Sequence, residues 1–216
     1  IFPALAVAEE MRTRGWRVVW LGNPEGMEAR LVPQHGFELV PVRFAALRGK
    51  GLLRKLLLPL NLLKGFWQAQ KAIRQVQPNV VLGMGGYITF PGGMMAVLLG
   101  KPLVIHEQNS VAGLANRVLA GVADRIATGF PAVFKKAVWA GNPVRPEIAL
   151  IPPPAERLAG RTGALHLLII GGSLGAQALN EMVPQAMALL GAEAQPQIVH
   201  QAGEKHIEAL QANYAA

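Results

Sequence analysis

Short apolar runs alternate with longer amphipathic stretches along this chain, and that rhythm admits few architectures. Candidate strands are 17–21 (RVVWL), 37–42 (FELVPV), 79–84 (NVVLGM), 102–106 (PLVIH), 125–128 (RIAT) and 137–141 (AVWAG). Helical stretches fall between them, notably 52–76, 91–99 and 112–121. Short apolar strands separated by helices belong to a parallel sheet covered on both faces. Residues 147–164 (EIALIPPPAERLAGRTGA) break the rhythm with three prolines and two glycines and read as an interdomain crossover. The alternation then restarts with strand 165–170, helix 175–190, strand 196–200 and helix 204–214. The expected fold class is α/β, with two doubly wound parallel-sheet domains at 1–149 and 165–216, a linker at 150–164, and the second domain incomplete. Residues 1–15 read as an amphipathic helix entered at its first turn, with Pro3 where a helix start tolerates proline. A helical pattern at both ends makes the chain look like a piece of a longer protein.

Sheets of this kind bind ligands at the carboxyl ends of their strands. Four polar or glycine-rich clusters sit there: 83–87 (GMGGY), 106–109 (HEQN), 141–145 (GNPVR) and 171–176 (GGSLGA). Together they outline one rim and a cleft between the domains. In GGSLGA, Gly172 and Gly175 permit a sharp strand-to-helix turn, the next helix offers free N–H groups to an anion, and Ser173 adds a hydroxyl. The alternative is only a tight connection. A dinucleotide would call for an acidic residue near the end of the following strand, and PQIVHQAG has none, so a nucleotide diphosphate fits better than NAD. Arg145 supplies a permanent cation for a diphosphate leaving group, or is a surface arginine after a turn. His106, Glu107, Gln108 and Asn109 follow a buried strand. They also fit a helix start capped by Asn109 or Ser110, with His106 satisfied at a sheet edge. Gly85, Gly86 and Tyr87 form a turn, either functional or merely flexible.

Composition narrows the chemistry. The chain has no cysteine and one aspartate, Asp124, which excludes disulfides, thiolate metal sites and a metal-binding Asp-x-Asp pair. No metal and no cofactor is expected. No uninterrupted apolar run reaches the ~18 residues of a transmembrane helix. The net charge of +8 is local: residues 39–106 hold nine basic and no acidic residues, against twelve basic and thirteen acidic elsewhere. Within that window, Leu56, Leu60, Leu63 and Trp67 share one helical face, with Lys50, Arg54, Lys55, Lys64 and Lys71 around it. A core-facing helix with a basic rim is one reading. More positions are apolar than one core face can bury, which favours an anionic membrane surface. Nucleic acid is the rival anion, but no nucleic-acid-binding motif or stacking platform accompanies the charge, so no nucleic-acid partner is expected.

VLGMGGY, HEQNSVAGLANR, GNPVR and GGSLGAQALN, in this order after a basic segment, resemble the MurG family of bacterial glycosyltransferases (family 28). The resemblance runs along the whole chain. It implies a GT-B fold of two Rossmann-like domains, an acceptor-binding N-terminal half and a UDP-GlcNAc-binding C-terminal half. It implies inverting transfer of GlcNAc from UDP-N-acetylglucosamine to the C4 hydroxyl of undecaprenyl-pyrophosphoryl-MurNAc-pentapeptide (lipid I), giving lipid II for peptidoglycan and hence for cell shape and division. By resemblance, Asn109, Arg145 and Ser173, with Gly172 and Gly175, match donor-binding positions. Gly85, Gly86, Tyr87, His106, Glu107 and Gln108 line the acceptor side. Residues 48–71 match the membrane-association patch, which implies peripheral attachment at the cytoplasmic face of the inner membrane. The family's first strand and a glycine-rich loop ending in the expected catalytic histidine would precede Ile1, and the rest of the donor domain would follow Ala216. The resemblance therefore implies an enzyme, and a 216-residue piece that does not itself turn over, with an open gap where a central strand belongs. A GT-B enzyme acting on another lipid, or a non-catalytic membrane-binding module, is the alternative.

Overall fold

The computed structural model describes residues 1–44, 58–172, 175–191 and 194–215. Two compact units divide the chain, Ile1–Ile151 and Pro152–Ala216.

The first unit opens with α1 (Phe2–Thr13), whose Pro3 occupies a first-turn position. Glu10 and Arg14 pair one turn apart at 2.7 Å, and Gly15 closes the helix at φ +80°. β1 (Val19–Gly22) pairs in parallel with β2 (Glu38–Pro41), Val19 opposite Glu38, across α2 (Glu28–Gln34). Leu5, Ala8, Val32 and Phe37 form the core of this part. The chain then reaches α3 (Leu58–Val76), β3 (Val81–Gly83), α4 (Thr89–Leu98), β4 (Leu103–Glu107), α5 (Leu114–Leu119), β5 (Arg125–Thr128) and β6 (Val138–Trp139). β3 to β6 make a second parallel sheet in sequential order. Leu103, Ile105 and Leu119 are its fully buried centre, with Val81, Phe90, Met94 and Ile126 packed around them.

Among the described residues β1 and β3 do not pair, so this unit holds two sheets instead of one. Glycines in α4 bring the pieces together: a Cβ on Gly92 would lie 2.9 Å from Leu21 of β1, and one on Gly93 2.9 Å from Leu119 of α5. α3 packs along α4. Its inner face is Gly65, Ala69, Ala72 and Ile73, and Gly65 leaves room for the ring of Phe44.

The expected crossover at 147–164 contains two single-turn helices, α6 (Pro146–Ala149) and α7 (Pro154–Arg157), each with proline in its first turn. In the second unit β7 (His166–Ile170) pairs in parallel with β8 (Gln197–Gln201), with α8 (Gln177–Ala188) between them. A short 3-10 turn (Glu204–His206) leads into α9 (Ile207–Ala215), which packs against α8. Of the β7 residues only Ile169 is buried.

Candidate active site

The site grows from the end of β4. The strand runs through Glu107, so the sheet itself delivers His106 and Glu107 to its carboxyl edge. They are 5% and 2% exposed, and polar groups so placed require partners inside the protein. Gln108 Nε2 donates to His106 Nδ1 at 2.9 Å. That leaves the proton on Nε2, which donates to the Gly141 carbonyl, also at 2.9 Å. Glu107 accepts four hydrogen bonds. Oε1 takes Asn109 N at 3.0 Å and Asn109 Nδ2 at 2.9 Å, and Oε2 takes Gly113 N at 3.0 Å and Asn116 Nδ2 at 2.9 Å. Burial alone would raise this carboxyl's pKa, but the hydrogen bonds outweigh it and hold the group below its ordinary 4.5.

The same bonds decide where α5 begins. Its N-cap is Gly113 with no side-chain cap, so Asn109 and Ser110 do not cap it, and the helix spans 114–119 instead of 112–121. Glu107 takes the Gly113 N–H from six residues upstream.

Neighbouring clusters close around this edge. Gly85 and Gly86, at φ +79° and +84°, make the turn after β3 that residues with a Cβ rarely adopt. Thr89 Oγ1 donates to the Gly85 carbonyl. A Cβ on Gly85 would lie 3.5 Å from Gln108 Oε1, so this turn abuts the 106–109 segment. Tyr87 OH accepts from Asn23 Nδ2 at 3.3 Å, and its ring tilts against Phe44 with centroids 6.1 Å apart. Beyond β6, Asn142 Nδ2 donates to the Gln108 carbonyl at 3.1 Å. Arg145 places its guanidinium 5.2 Å from the centre of the Phe2 ring. Three of the four clusters, 83–87, 106–109 and 141–145, therefore adjoin along one rim of the first unit.

The fourth lies in the second unit. Ser173 falls outside the described residues. Gly172 turns at φ +78°, and among the described residues a Cβ there would meet nothing within 4 Å. Gly175 is confined more tightly. At φ +76°, any Cβ it carried would run into the Ala202 carbonyl at the end of β8. Asn180 Nδ2 donates to that carbonyl at 3.0 Å. The N-cap of α8 is Ala176, which makes no side-chain cap bond.

On α3 the expected stripe faces outward: Leu60, Leu63 and Trp67 are 63%, 65% and 61% exposed. Lys71 Nζ stands 5.9 Å from the centre of the Trp67 ring, and Lys64 is exposed on the same side. Lys50, Arg54, Lys55 and Leu56 lie outside the described residues. No helix of the described residues is long and apolar enough to cross a membrane, and none of those residues form a cluster of three or more possible metal ligands.

Sequence reading missed Asn116, Asn142 and Phe2. Asn116 had a signal: asparagine is a poor interior helix residue, and one inside an apolar helix asks for a tertiary bond. Nothing in the sequence ties Phe2 to Arg145.

Comparison with known proteins identifies the family and the fold. The profile described as "Glycosyltransferase family 28 N-terminal domain" matches residues 1–128, and "Glycosyltransferase family 28 C-terminal domain" matches 166–216. A Dechloromonas aromatica protein named UDP-N-acetylglucosamine--N-acetylmuramyl-(pentapeptide) pyrophosphoryl-undecaprenol N-acetylglucosamine transferase is 82% identical over all 216 residues. An Azoarcus protein of the same name is 68% identical over the whole chain. The chain spans 61% of the length of each. The crystal structure of Acinetobacter baumannii MurG superposes with a TM-score of 0.75 at 40% identity, covering 99% of this chain and 60% of that one. A kitacinnamycin glycosyltransferase shares the fold alone, with a TM-score of 0.63 at 16% identity over 94% of this chain and 62% of that one. The fold class expected from the sequence, α/β with parallel sheets as in GT-B glycosyltransferases, is the one found. The family 28 profile covers more than half of the residues, and the chain belongs to glycosyltransferase family 28.

Proposed function

We propose that this chain carries the acceptor half and the start of the donor half of an inverting hexosyltransferase. The reaction moves GlcNAc from UDP-GlcNAc to the C4 hydroxyl of the MurNAc-pentapeptide of lipid I, yielding lipid II for peptidoglycan. The observation that carries this reading is the rim at β3, β4 and β6, where three separate motifs are hydrogen-bonded or packed into one surface. The names of relatives at 68% to 82% identity supply the substrates.

The chemistry needs a base for the acceptor hydroxyl and stabilisation of departing UDP. In the second unit the first-turn amides of α8, with Ser173, Gly172 and Gly175, serve the leaving diphosphate; in the first unit the resemblance to the family assigns Arg145 to the donor. Asn109 also meets the donor. Gly85, Gly86, Tyr87 and Gln108 face the acceptor, backed by His106 and Glu107. The enzyme docks peripherally on the cytoplasmic face of the inner membrane through α3 and the basic segment before it, because its acceptor is a lipid and its donor is soluble. Between residues 58 and 123 the single acidic residue is Glu107, which is buried, so the segment that carries α3 adds no exposed acidic group of its own.

The test takes the chain carried to its relatives' full length, UDP-GlcNAc and a lipid I analogue, with the product identified by mass. A disaccharide product with inverted anomeric configuration is expected. Transfer of another sugar, or none, refutes the proposal.

A further inference from the structure

Glu107 is buried and fully bonded, yet it lies beside Asn109, an exposed residue that the proposed function places at the donor. An ionised carboxylate has no hydrogen to give, so the Asn109 atom 2.9 Å from Oε1 is the amide nitrogen. That bond fixes the amide. Its nitrogen points at Glu107 and its Oδ1 points away, while Asn109 N is held by the same oxygen. The other carboxylate oxygen fixes the far end of the loop through Gly113 N and Asn116 Nδ2. Asn116, 1% exposed, also donates to the His106 carbonyl at 3.1 Å, so the anchor itself is held.

We propose that Glu107 is a positioning residue that locks Asn109 in one amide orientation, so that Asn109 presents an acceptor oxygen to the nucleotide sugar and takes one of its hydroxyl or N–H groups. A phosphate oxygen, itself only an acceptor, is not its partner. The inference rests on the proposed function, since it needs Asn109 to face the donor. It also explains why a carboxylate stands here. All four groups that reach it are donors, and an amide of the same shape would set its NH2 against two of them.

Glu107→Gln is therefore not silent although it is isosteric. In the full-length enzyme it should raise KM for UDP-GlcNAc about tenfold, the scale of one charge-assisted hydrogen bond. The acid limb of the kcat–pH profile should stay in place, because Glu107 moves no proton. Asn109→Ala should raise KM similarly, and the double variant should be little worse than either single one, because both act on one contact. Loss of the acid limb with KM unchanged would make Glu107 the base and overturn the proposal. Additive effects in the double variant would overturn it too.

Asn109 is exposed, so Asn109→Ala keeps the test open if Glu107→Gln fails to fold. Against donor analogues each lacking one hydroxyl or N–H, the Asn109→Ala penalty should vanish for one analogue. An equal penalty for all of them refutes the acceptor assignment. If the wild-type enzyme transfers no GlcNAc, the proposed function has failed instead.

Discussion

The membrane affinity proposed for the outward stripe on α3 can be worked from its exposure. A fully buried aromatic side chain removes roughly 150–250 Å² from water. Trp67, 61% exposed, therefore has roughly 90–150 Å² left to bury, worth ~2–4 kcal/mol at 25 cal/mol per Å². Leu60 and Leu63 have about two thirds of their surface exposed, and full burial of leucine contributes ~1.5–3 kcal/mol, so each adds about 1–2 kcal/mol. Lys64 and Lys71 each add about 1 kcal/mol against anionic lipid. The apolar sum is an upper limit, because an interfacial helix buries one face only partly. Leu60→Glu with Trp67→Glu removes up to about 3–6 kcal/mol of it and adds two repelled charges, which predicts a loss of vesicle binding on the order of 100-fold. Co-sedimentation of the full-length protein with phosphatidylcholine vesicles containing increasing phosphatidylglycerol reads this directly. Wild-type binding should rise with the anionic lipid and weaken, without vanishing, in high salt. If the double variant sediments as wild type does, the stripe is not a membrane contact and the reasoning is wrong.

Arg145→Ala in the full-length enzyme should lower kcat/KM for UDP-GlcNAc by the equivalent of about 2 kcal/mol, and an unchanged value would remove Arg145 from the donor site. Catalysis should survive excess EDTA; activity lost and then restored by magnesium would defeat the metal-free reading. Gly175→Ala should destabilise the second unit by at least ~1–3 kcal/mol in denaturant melts, from its left-handed backbone alone and further from collision with the Ala202 carbonyl. Because the folded protein holds the Glu107 pKa below 4.5, its ionised form contributes stability in full above that value. That contribution should disappear as pH falls further through the lowered folded-state value, and Glu107→Gln should flatten this part of the stability–pH curve.

The architecture was legible because hydrophobic periodicity reports which faces are covered. Strand 125–128 appears as expected, and the others shift or shorten by a residue or more. The strand expected at 137–141 shrinks to Val138–Trp139, both two-thirds exposed at the sheet edge, where one neighbour instead of two extends the ladder. Periodicity cannot say which strands are neighbours. That β1 and β3 do not pair among the described residues is a property of sheet order, carried by no residue in either strand. Periodicity also marked Leu60, Leu63 and Trp67 as one face without saying which way it points. Gly65, Ala69 and Ala72 settle that, since small residues let α3 approach the body along the opposite side.

The site was legible as a rim and illegible as a network, for one physical reason. Strand ends identify where ligands gather, but a hydrogen bond joins residues by geometry that a linear chain does not display. Glu107 sits at the end of LVIHE, where a charge closing an apolar strand has to be matched or neutralised. Its partners follow at two, six and nine residues, across a loop and into the first turn of α5. No helical or strand period generates that series. What the sequence did offer was a pair of misfits, a carboxylate on a buried strand and an asparagine inside an apolar helix. Each is costly alone, and together the cost falls because Asn116 Nδ2 supplies a donor that the carboxylate needs, while Asn116 Oδ1 stays buried without a partner among the described residues. Two such misfits within one βα unit therefore make a reason to look for a bond between them before assigning either one to a ligand.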